Sequence, residues 1–245
     1  MGHRIAAEGV GKVTRTDAVV EEIRKMVLDG RLRAGDRLPV EADLAAQLGI
    51  SRGSLREGVR ALISMGVLEA RQGSGTFVTD LDLRRLFAPM AFIADLDLHD
   101  ALDFLAVRRV LECEAAATAA LRITPEQLHE AELTITAAEQ ILNASEGGTE
   151  QLSALLELDR DFHRIVARSS GNSVCVALLD VLAGQTWRMR RWRLEVEPES
   201  GMVGIREHRA ILAAMRAHDP DRARAQMQVH LFGVEDFVQD PARSA

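Results

Sequence analysis

Cysteine is almost absent from this 245-residue chain: Cys113 and Cys175 are the two that occur, far apart in sequence. Two such thiols exclude a disulfide framework and a four-thiolate zinc site, and they point to a reducing cytoplasm. Long apolar runs are lacking as well. None approaches the roughly 20 residues that span a bilayer, so no membrane partner is expected. The opening stretch MGHRIAAEGVGKV lacks the apolar core of a secretion signal. Lysine is scarce, with Lys12 and Lys25 set against 28 arginines. That bias says little, because a GC-rich genome produces it as readily as a need for phosphate contacts does. Net positive charge is missing too. There are 30 Lys+Arg and 37 Asp+Glu, a formal charge of −7, which at first sight argues against a nucleic-acid binder. What remains is ordinary for a globular protein: 47% hydrophobic and 27% charged residues, enough to exclude a disordered chain. The length fits one large or two modest domains.

The charge is unevenly spread. Residues 1–80 hold 12 Lys+Arg against 11 Asp+Glu, and residues 81–245 hold 18 against 26. The acidity therefore belongs to the C-terminal two-thirds. Residues 1–13 read as a flexible tail. From Thr16 the period is helical, with Val19, Val20, Ile23, Val27 and Leu28 on one face and Gly30 as the stop. Gly35 and Pro39 make RLRAGDRLP (31–39) a turn or a short strand. A short helix follows, with Leu44, Ala45 and Leu48 inward and Gly49 ending it. Ser51 then caps a helix from Arg52 to about Met65. VLEAR (67–71) and TFV (76–78) read as strands joined by the Gln72–Gly75 loop. Helix, helix, tight turn, helix and hairpin is the layout of a winged helix-turn-helix, assigned to residues 14–79, with a connecting segment at 80–97.

On the third helix Arg52, Arg56 and Arg60 fall at i, i+4 and i+8 and share a face. Ser51 and Ser54 add hydroxyls at its N-terminal end, where the helix dipole favours phosphate. Leu55, Val59, Leu62 and Ile63 hold the opposite face to the core. Such a helix can enter a major groove, and a forked Arg–guanine contact is worth about 1–3 kcal/mol of discrimination. Gly73 at the hairpin tip allows close backbone approach. A solvated helix with Arg–Glu pairs around Glu57 is the bland alternative for an isolated Arg row; the order of the neighbouring elements favours the groove-binding reading.

The run from Arg31 to Val78 resembles the N-terminal domain of GntR-family bacterial transcription regulators. The resemblance rests on Gly35-Asp36-x-Leu38-Pro39, Leu44-Ala45-x-x-Leu48-Gly49-x-Ser51-Arg52, Leu55-Arg56-Glu57 and Gly73-x-Gly75-x-Phe77-Val78. It implies operator contacts at Ser51, Arg52, Ser54, Arg56 and Gly73. Three positions depart from the pattern. Ala42 stands where many members carry a DNA-contacting Arg, Gly53 where Thr or Pro is usual, and Val40 where a hydroxyl cap is usual.

Beyond Thr79 every segment has helical period. Helices are expected at 83–94, 98–121, 125–144, 150–169, 173–194, 202–217 and 220–238, an antiparallel all-α bundle of six or seven helices. Asp97 is placed to cap the second of these. Thr124-Pro125-Glu126-Gln127 is a capping box with Pro at the first helical position, and Asp219-Pro220 repeats the cap-then-Pro signal. The whole chain is thus expected to be mainly α, with residues 98–240 as one all-α domain. Asp159 and His163 lie at i and i+4 on one helix; His208 and His230 lie on two later ones. A bundle can aim all four inward, and one carboxylate with three imidazoles suits a divalent transition metal. On spacing alone a surface ion pair explains Asp159 and His163 better. His99, His129 and His218 have no partner at metal spacing and read as surface residues, and His3 falls in the tail. Cys113 and Cys175 read as buried thiols.

Residues 98–238 resemble the FCD sensor domain of FadR-like GntR regulators, through Arg108-x-x-x-Glu112, Asp159-x-x-Phe162-His163, Ala167-x-x-x-Gly171-Asn172, Glu207-His208 and His230. The resemblance implies metal ligands at Asp159, His163, His208 and His230, with zinc first and nickel, manganese or iron compatible. It implies a small carboxylate effector beside the metal, with Arg108 as first contact and Asn172 as a second. Arg108 could equally pair with Glu112, and Asn172 could cap a helix end. The basic run at Arg188, Arg190, Arg191 and Arg193 reads as a solvated face from which one Arg could line the pocket. The function expected is a cytoplasmic, homodimeric DNA-binding repressor of a palindromic operator, not an enzyme. A direct metal sensor and a metal-dependent hydrolase are the alternatives.

Overall fold

The computed structural model describes residues 14–82, 101–144 and 148–240. The expected tail (1–13), the helix at 83–94, the Asp97 cap and His99 lie outside the described residues. The chain divides into two compact units, with the boundary between residues 86 and 87.

The N-terminal unit contains α1 (Arg15–Leu28), α2 (Glu41–Leu48), α3 (Arg52–Ser64), β1 (Leu68–Arg71) and β2 (Gly75–Val78). Thr14 and Asp17 form a reciprocal capping box at the start of α1. Gly49, with φ of 63°, closes α2, and the Ser51 hydroxyl accepts from Ser54 N–H to open α3. Val40 at the head of α2 supplies no side-chain cap, as its apolar side chain dictates. Val19, Ile23, Leu44, Leu55, Leu62, Leu68 and Val78 fill one core. Leu28 departs from its expected inward place: it is 69% exposed, and Met26 is buried instead. Val19, Ile23 and Met26 share the buried face of α1, and Leu28, nine residues after Val19 and so about half a turn away, falls on the opposite side. Gly58 lets α1 and α3 touch, since a Cβ there would lie 2.6 Å from the Val19 side chain.

β1 and β2 pair antiparallel with Leu68 opposite Val78 and Arg71 opposite Gly75. Segment 31–39 adds an isolated bridge from Arg37 to Phe77, which settles the turn-or-strand alternative as mostly turn with one bridge.

The C-terminal unit consists, among the described residues, of six helices: α4 (Ala101–Ala120), α5 (Pro125–Asn143), α6 (Thr149–Ser169), α7 (Ser173–Val196), α8 (Ser200–Arg216) and α9 (Pro220–Gln239). The Thr124 capping box and the Asp219 cap form as expected. Ion pairs Glu114–Arg224 and Arg109–Glu235 show that α4 and α9 run in opposite directions. Glu132–Arg216 and Glu139–Arg209 show the same for α5 and α8. Alanines 116, 119, 120, 131, 214 and 223 are almost fully buried. Small residues at these contacts bring the helices close together, and Ile135, Phe162, Ile211, Met215 and Met227 fill the space between. The fold is mainly α, as expected from the 3.6-residue period.

Candidate functional site

In the N-terminal unit the face of α3 opposite its buried side carries Arg52, Arg56 and Arg60, all exposed. The hydroxyls of Ser51 and Ser54 lie 3.0 Å apart. Arg56 Nε donates to Glu41 Oε2 at 2.8 Å, a contact between α3 and the first residue of α2 that the helical period alone did not reveal. Gly73 sits exposed in the turn between the strands with φ of 72°. Of the five residues expected at an operator, Ser51, Arg52, Arg56 and Gly73 are exposed and Ser54 is half-buried, all within one unit.

The second constellation lies inside the bundle. Asp159 and His163 come from α6, His208 from α8 and His230 from α9. One ligating atom from each lies within 4.8 Å of every other. His230 Nε2 is 3.2 Å from His163 Nε2 and 3.3 Å from His208 Nε2. Asp159 Oδ1 is 3.8 Å from His163 Nε2 and 3.5 Å from His208 Nε2. The three imidazoles are buried. His208 stacks on Phe162, with ring centroids 4.1 Å apart.

Behind the imidazoles stand carboxylates. His163 Nδ1 donates to Glu112 Oε2, and His230 Nδ1 donates to Glu207 Oε2 at 2.8 Å. These bonds fix the tautomers: Nδ1 carries the proton and Nε2 presents a lone pair. Two such lone pairs facing each other at hydrogen-bond distance have no proton to share and repel. A cation between them resolves the conflict. Two nitrogens each about 2.0–2.1 Å from one ion lie about 2.8–3.4 Å apart for octahedral to tetrahedral angles. The observed spacings fall in that range, and the carboxylate-backed imidazole is the arrangement that metal-ligating histidines adopt. The residues present therefore fit a divalent transition metal. Burial, with His230 and His163 adding to it, pushes the His208 imidazole well below its ordinary range, and burial lowers His230 as well. Burial also acts to raise the Glu112 carboxyl, but the Arg108 charge and His163 hold it well below the usual carboxylate range.

Beside the cluster is a cavity of about 90 Å³, several times the 10–15 Å³ or so that one water needs. Arg108 and Arg190 both line it. Arg108 is committed elsewhere: Nε donates to Glu112, and Nη1 donates to Thr186 Oγ1 at 2.8 Å. Arg190, 6% exposed, gives Nη1 to Asp159 Oδ2, while its buried Nε and Nη2 have no hydrogen-bond partner. Burial and the neighbouring Arg108 charge weigh against its charged form; Asp159 pairs with one corner of the guanidinium, and its Nε and Nη2 edge is left without an acceptor. The sequence signalled Arg190 faintly, as one member of a basic run; its period-3.6 position on α7 turns it inward while Arg188 stays exposed. Asn172 lies elsewhere. Its side-chain oxygen accepts from Val174 and Cys175 N–H and caps the start of α7, and it does not line the cavity.

The remaining histidines and thiols have structural places. His129 is exposed. His218 is at the surface too, and its Nδ1 contacts the Ala120 carbonyl at 2.8 Å. Cys113 and Cys175 are buried and free; burial, with the Glu112 charge adding to it, pushes the Cys113 thiol up to about 11.

A winged helix with an exposed arginine-bearing third helix, followed by an all-α unit, defines a DNA-binding regulator. Residues 15–78 match the gntR family of bacterial regulatory proteins, and residues 103–233 match the FCD domain. The chain belongs to the GntR family and carries an FCD domain. It is 34% identical over 230 residues to the Glc operon transcriptional activator of Escherichia coli (strain K12), covering 91% of this chain and 89% of that protein. It is 27% identical over 241 residues to the HTH-type transcriptional repressor NanR of Escherichia coli, covering 96% and 88%. Among solved structures, Streptococcus agalactiae GntR superposes with a TM-score of 0.63 at 28% identity, covering 90% of this chain and 99% of that one. These relatives are transcriptional regulators, not enzymes. Among the described residues no helix is long and apolar enough to cross a membrane.

Proposed function

We propose that this regulator binds a palindromic operator as a homodimer, and that a small carboxylate bound beside a metal in the all-α unit controls its affinity for DNA. Asp159, His163, His208 and His230 are the proposed metal ligands, with zinc the first candidate. When bound, the metal supplies a Lewis-acidic coordination site for one oxygen of the effector. Arg190 is the proposed second contact, forking Nε and Nη2 onto the carboxylate, and Arg108 holds Glu112 and thereby the His163 ring. The observation that carries the reading is the convergence of three imidazole Nε2 atoms beside a buried, half-unpartnered guanidinium.

On the DNA side, Ser51, Arg52, Ser54, Arg56 and Gly73 are the proposed contacts. A single recognition helix reads few base pairs, so a two-fold dimer on a palindrome supplies the specificity. The proposed sense is repression relieved by the acid. Relatives named as an activator and as a repressor both exist, so a reporter assay on the selected operator decides the sense.

The test begins with elemental analysis of the purified protein and operator selection from random DNA. We expect one transition-metal ion per chain, lost in His208→Ala combined with His230→Ala. Full metal content in that double variant removes the site. Specific operator binding is expected to vanish in Arg52→Ala; unchanged affinity removes the assigned DNA contact. If added metal alone, with no acid present, releases the operator, the ion itself is the effector.

A further inference from the structure

A third segment lies along the wing, the hairpin of β1 and β2. Leu38 N–H donates to the Thr76 carbonyl at 2.8 Å, and Val78 N–H donates to the Asp36 carbonyl at 2.9 Å. Residues 36–38 therefore run antiparallel beside β2, with Arg37 directly opposite Phe77. Side chains opposite each other share a face, as do those two residues along the same strand. By this register Arg37, Phe77 and Gly75 share one face with Glu69 and Arg71. Gly75 gives Arg37 its place: a Cβ there would lie 2.7 Å from Arg37 Nε and 3.1 Å from Nη2. The guanidinium thus rests on the bare backbone of the wing.

The two arginines of this face differ in what they hold. Arg71 lies over the Phe77 ring at 4.3 Å and pairs with Glu69 at 2.6 Å. Arg37 is exposed, and its guanidinium has no hydrogen bond or ion pair among the described residues. The carboxylates near it are taken. Asp36 Oδ2 accepts from Arg33 N–H at 2.7 Å, and Glu41 accepts from Arg56 Nε. Arg37 and Gly75 wall one side of a cleft whose other side is Glu41, Leu44, Leu55 and Val59, from α2 and α3. An unspent fork of donors therefore stands between the wing and the helix proposed to read DNA.

We infer that Arg37 is a further DNA contact, gripping a backbone phosphate between the recognition helix and the wing; this rests on the operator reading above. With α3 in a major groove and Gly73 at the neighbouring groove, the line of phosphates that divides the two grooves passes between helix and wing. A guanidinium suits a phosphate's oxygens, and such a contact adds affinity without reading sequence.

Fluorescence anisotropy of the full chain decides the matter, with the selected operator and an unrelated duplex of equal length at several salt concentrations. Arg37→Ala should weaken both by the same factor, and should lower the slope of log affinity against log salt by about one unit per subunit. Arg37→Lys keeps the charge and should keep the slope. Unchanged affinity and slope in Arg37→Ala overturns the inference. So does weaker binding at an unchanged slope, which marks Arg37 as a brace for the wing. Loss confined to the operator, with relaxed preference at one base pair, overturns it too, since a base edge is then the partner. Arg52→Ala run in parallel keeps the two readings apart. Operator binding lost there but intact in Arg37→Ala removes the phosphate contact alone; operator binding intact in both removes the operator reading itself.

Discussion

At the scale of single residues, function here depends on which donors and lone pairs are left over after the fold has used the rest. Arg108 and Arg190 illustrate the difference. Both are buried arginines on the same cavity, but Arg108 is held by Glu112 and Thr186 whereas Arg190 keeps Nε and Nη2 unpartnered. Arg190→Met is therefore expected to abolish acid binding in calorimetry while metal content stays at one per chain. Retained acid binding would move the anion contact elsewhere. On the DNA side, Glu41 holds Arg56 through Nε, which leaves the Nη edge free for a guanine fork. In the free protein this exposed pair is worth little. Glu41→Gln is expected to raise nonspecific DNA affinity by removing a negative charge, and to lower the ratio of specific to nonspecific binding by releasing the guanidinium. A ratio unchanged in filter binding would leave Glu41 without a role in recognition. The thiols make the opposite point: with Cys113 pushed up to about 11 by burial and Cys175 buried as well, neither should react with a disulfide reagent in the native protein. Both should react once it is unfolded.

At the scale of elements, most of the fold was legible because its punctuation is local chemistry. Thr14, Ser51, Thr124, Asn172 and Asp219 all cap helices, and each leads a stretch whose apolar residues recur every three to four positions. Asp159 and His163 could be placed on one face for the same reason. Spacing could not bring in His208 and His230, because three separate helices must meet before four side chains converge; the family resemblance supplied that step. Glu112 and Arg190 were harder still. Glu112 reads as an ordinary ion-pair partner of Arg108, and Arg190 as one member of a solvated basic run; the residues they meet, His163 and Asp159, lie 51 and 31 residues away in sequence. Asn172 shows how one residue type fits two roles, since an amide beside Gly171 suits either a ligand contact or a cap. Its oxygen is used twice in capping α7. Asn172→Ala should therefore cost about 0.5–2 kcal/mol of stability and leave metal and acid binding unchanged. A selective loss of acid binding would restore it to the pocket. Gly58 was not singled out by pattern, yet α1 and α3 meet over it. Gly58→Ala sets a methyl 2.6 Å from Val19 and should destabilise the N-terminal unit by about 1–3 kcal/mol in denaturant melts.

At the scale of the whole molecule the charge of −7 is an average over unlike parts. The winged-helix unit is close to neutral with its arginines displayed on α3, and the acidity lies in the other two-thirds. Weak nonspecific affinity for DNA follows, with specific binding that falls steeply as salt rises. Coupling between the two units has a thermodynamic signature that needs no knowledge of the path between them. If an acid changes operator affinity by some factor, the operator must change acid affinity by the same factor. An acid that binds both DNA-competent and DNA-incompetent states equally would shift nothing, however tightly it binds. The measurement is two titrations: operator binding by fluorescence anisotropy with and without a saturating small carboxylate that the chain binds, and binding of that carboxylate by calorimetry with and without saturating operator. We expect equal factors of about 5–150, in the usual range for such coupling, and their joint disappearance in Arg190→Met. Tight acid binding with a factor of one in both titrations would separate the cavity from control of DNA, and would leave the metal, not the acid, as the ligand that the regulator reads.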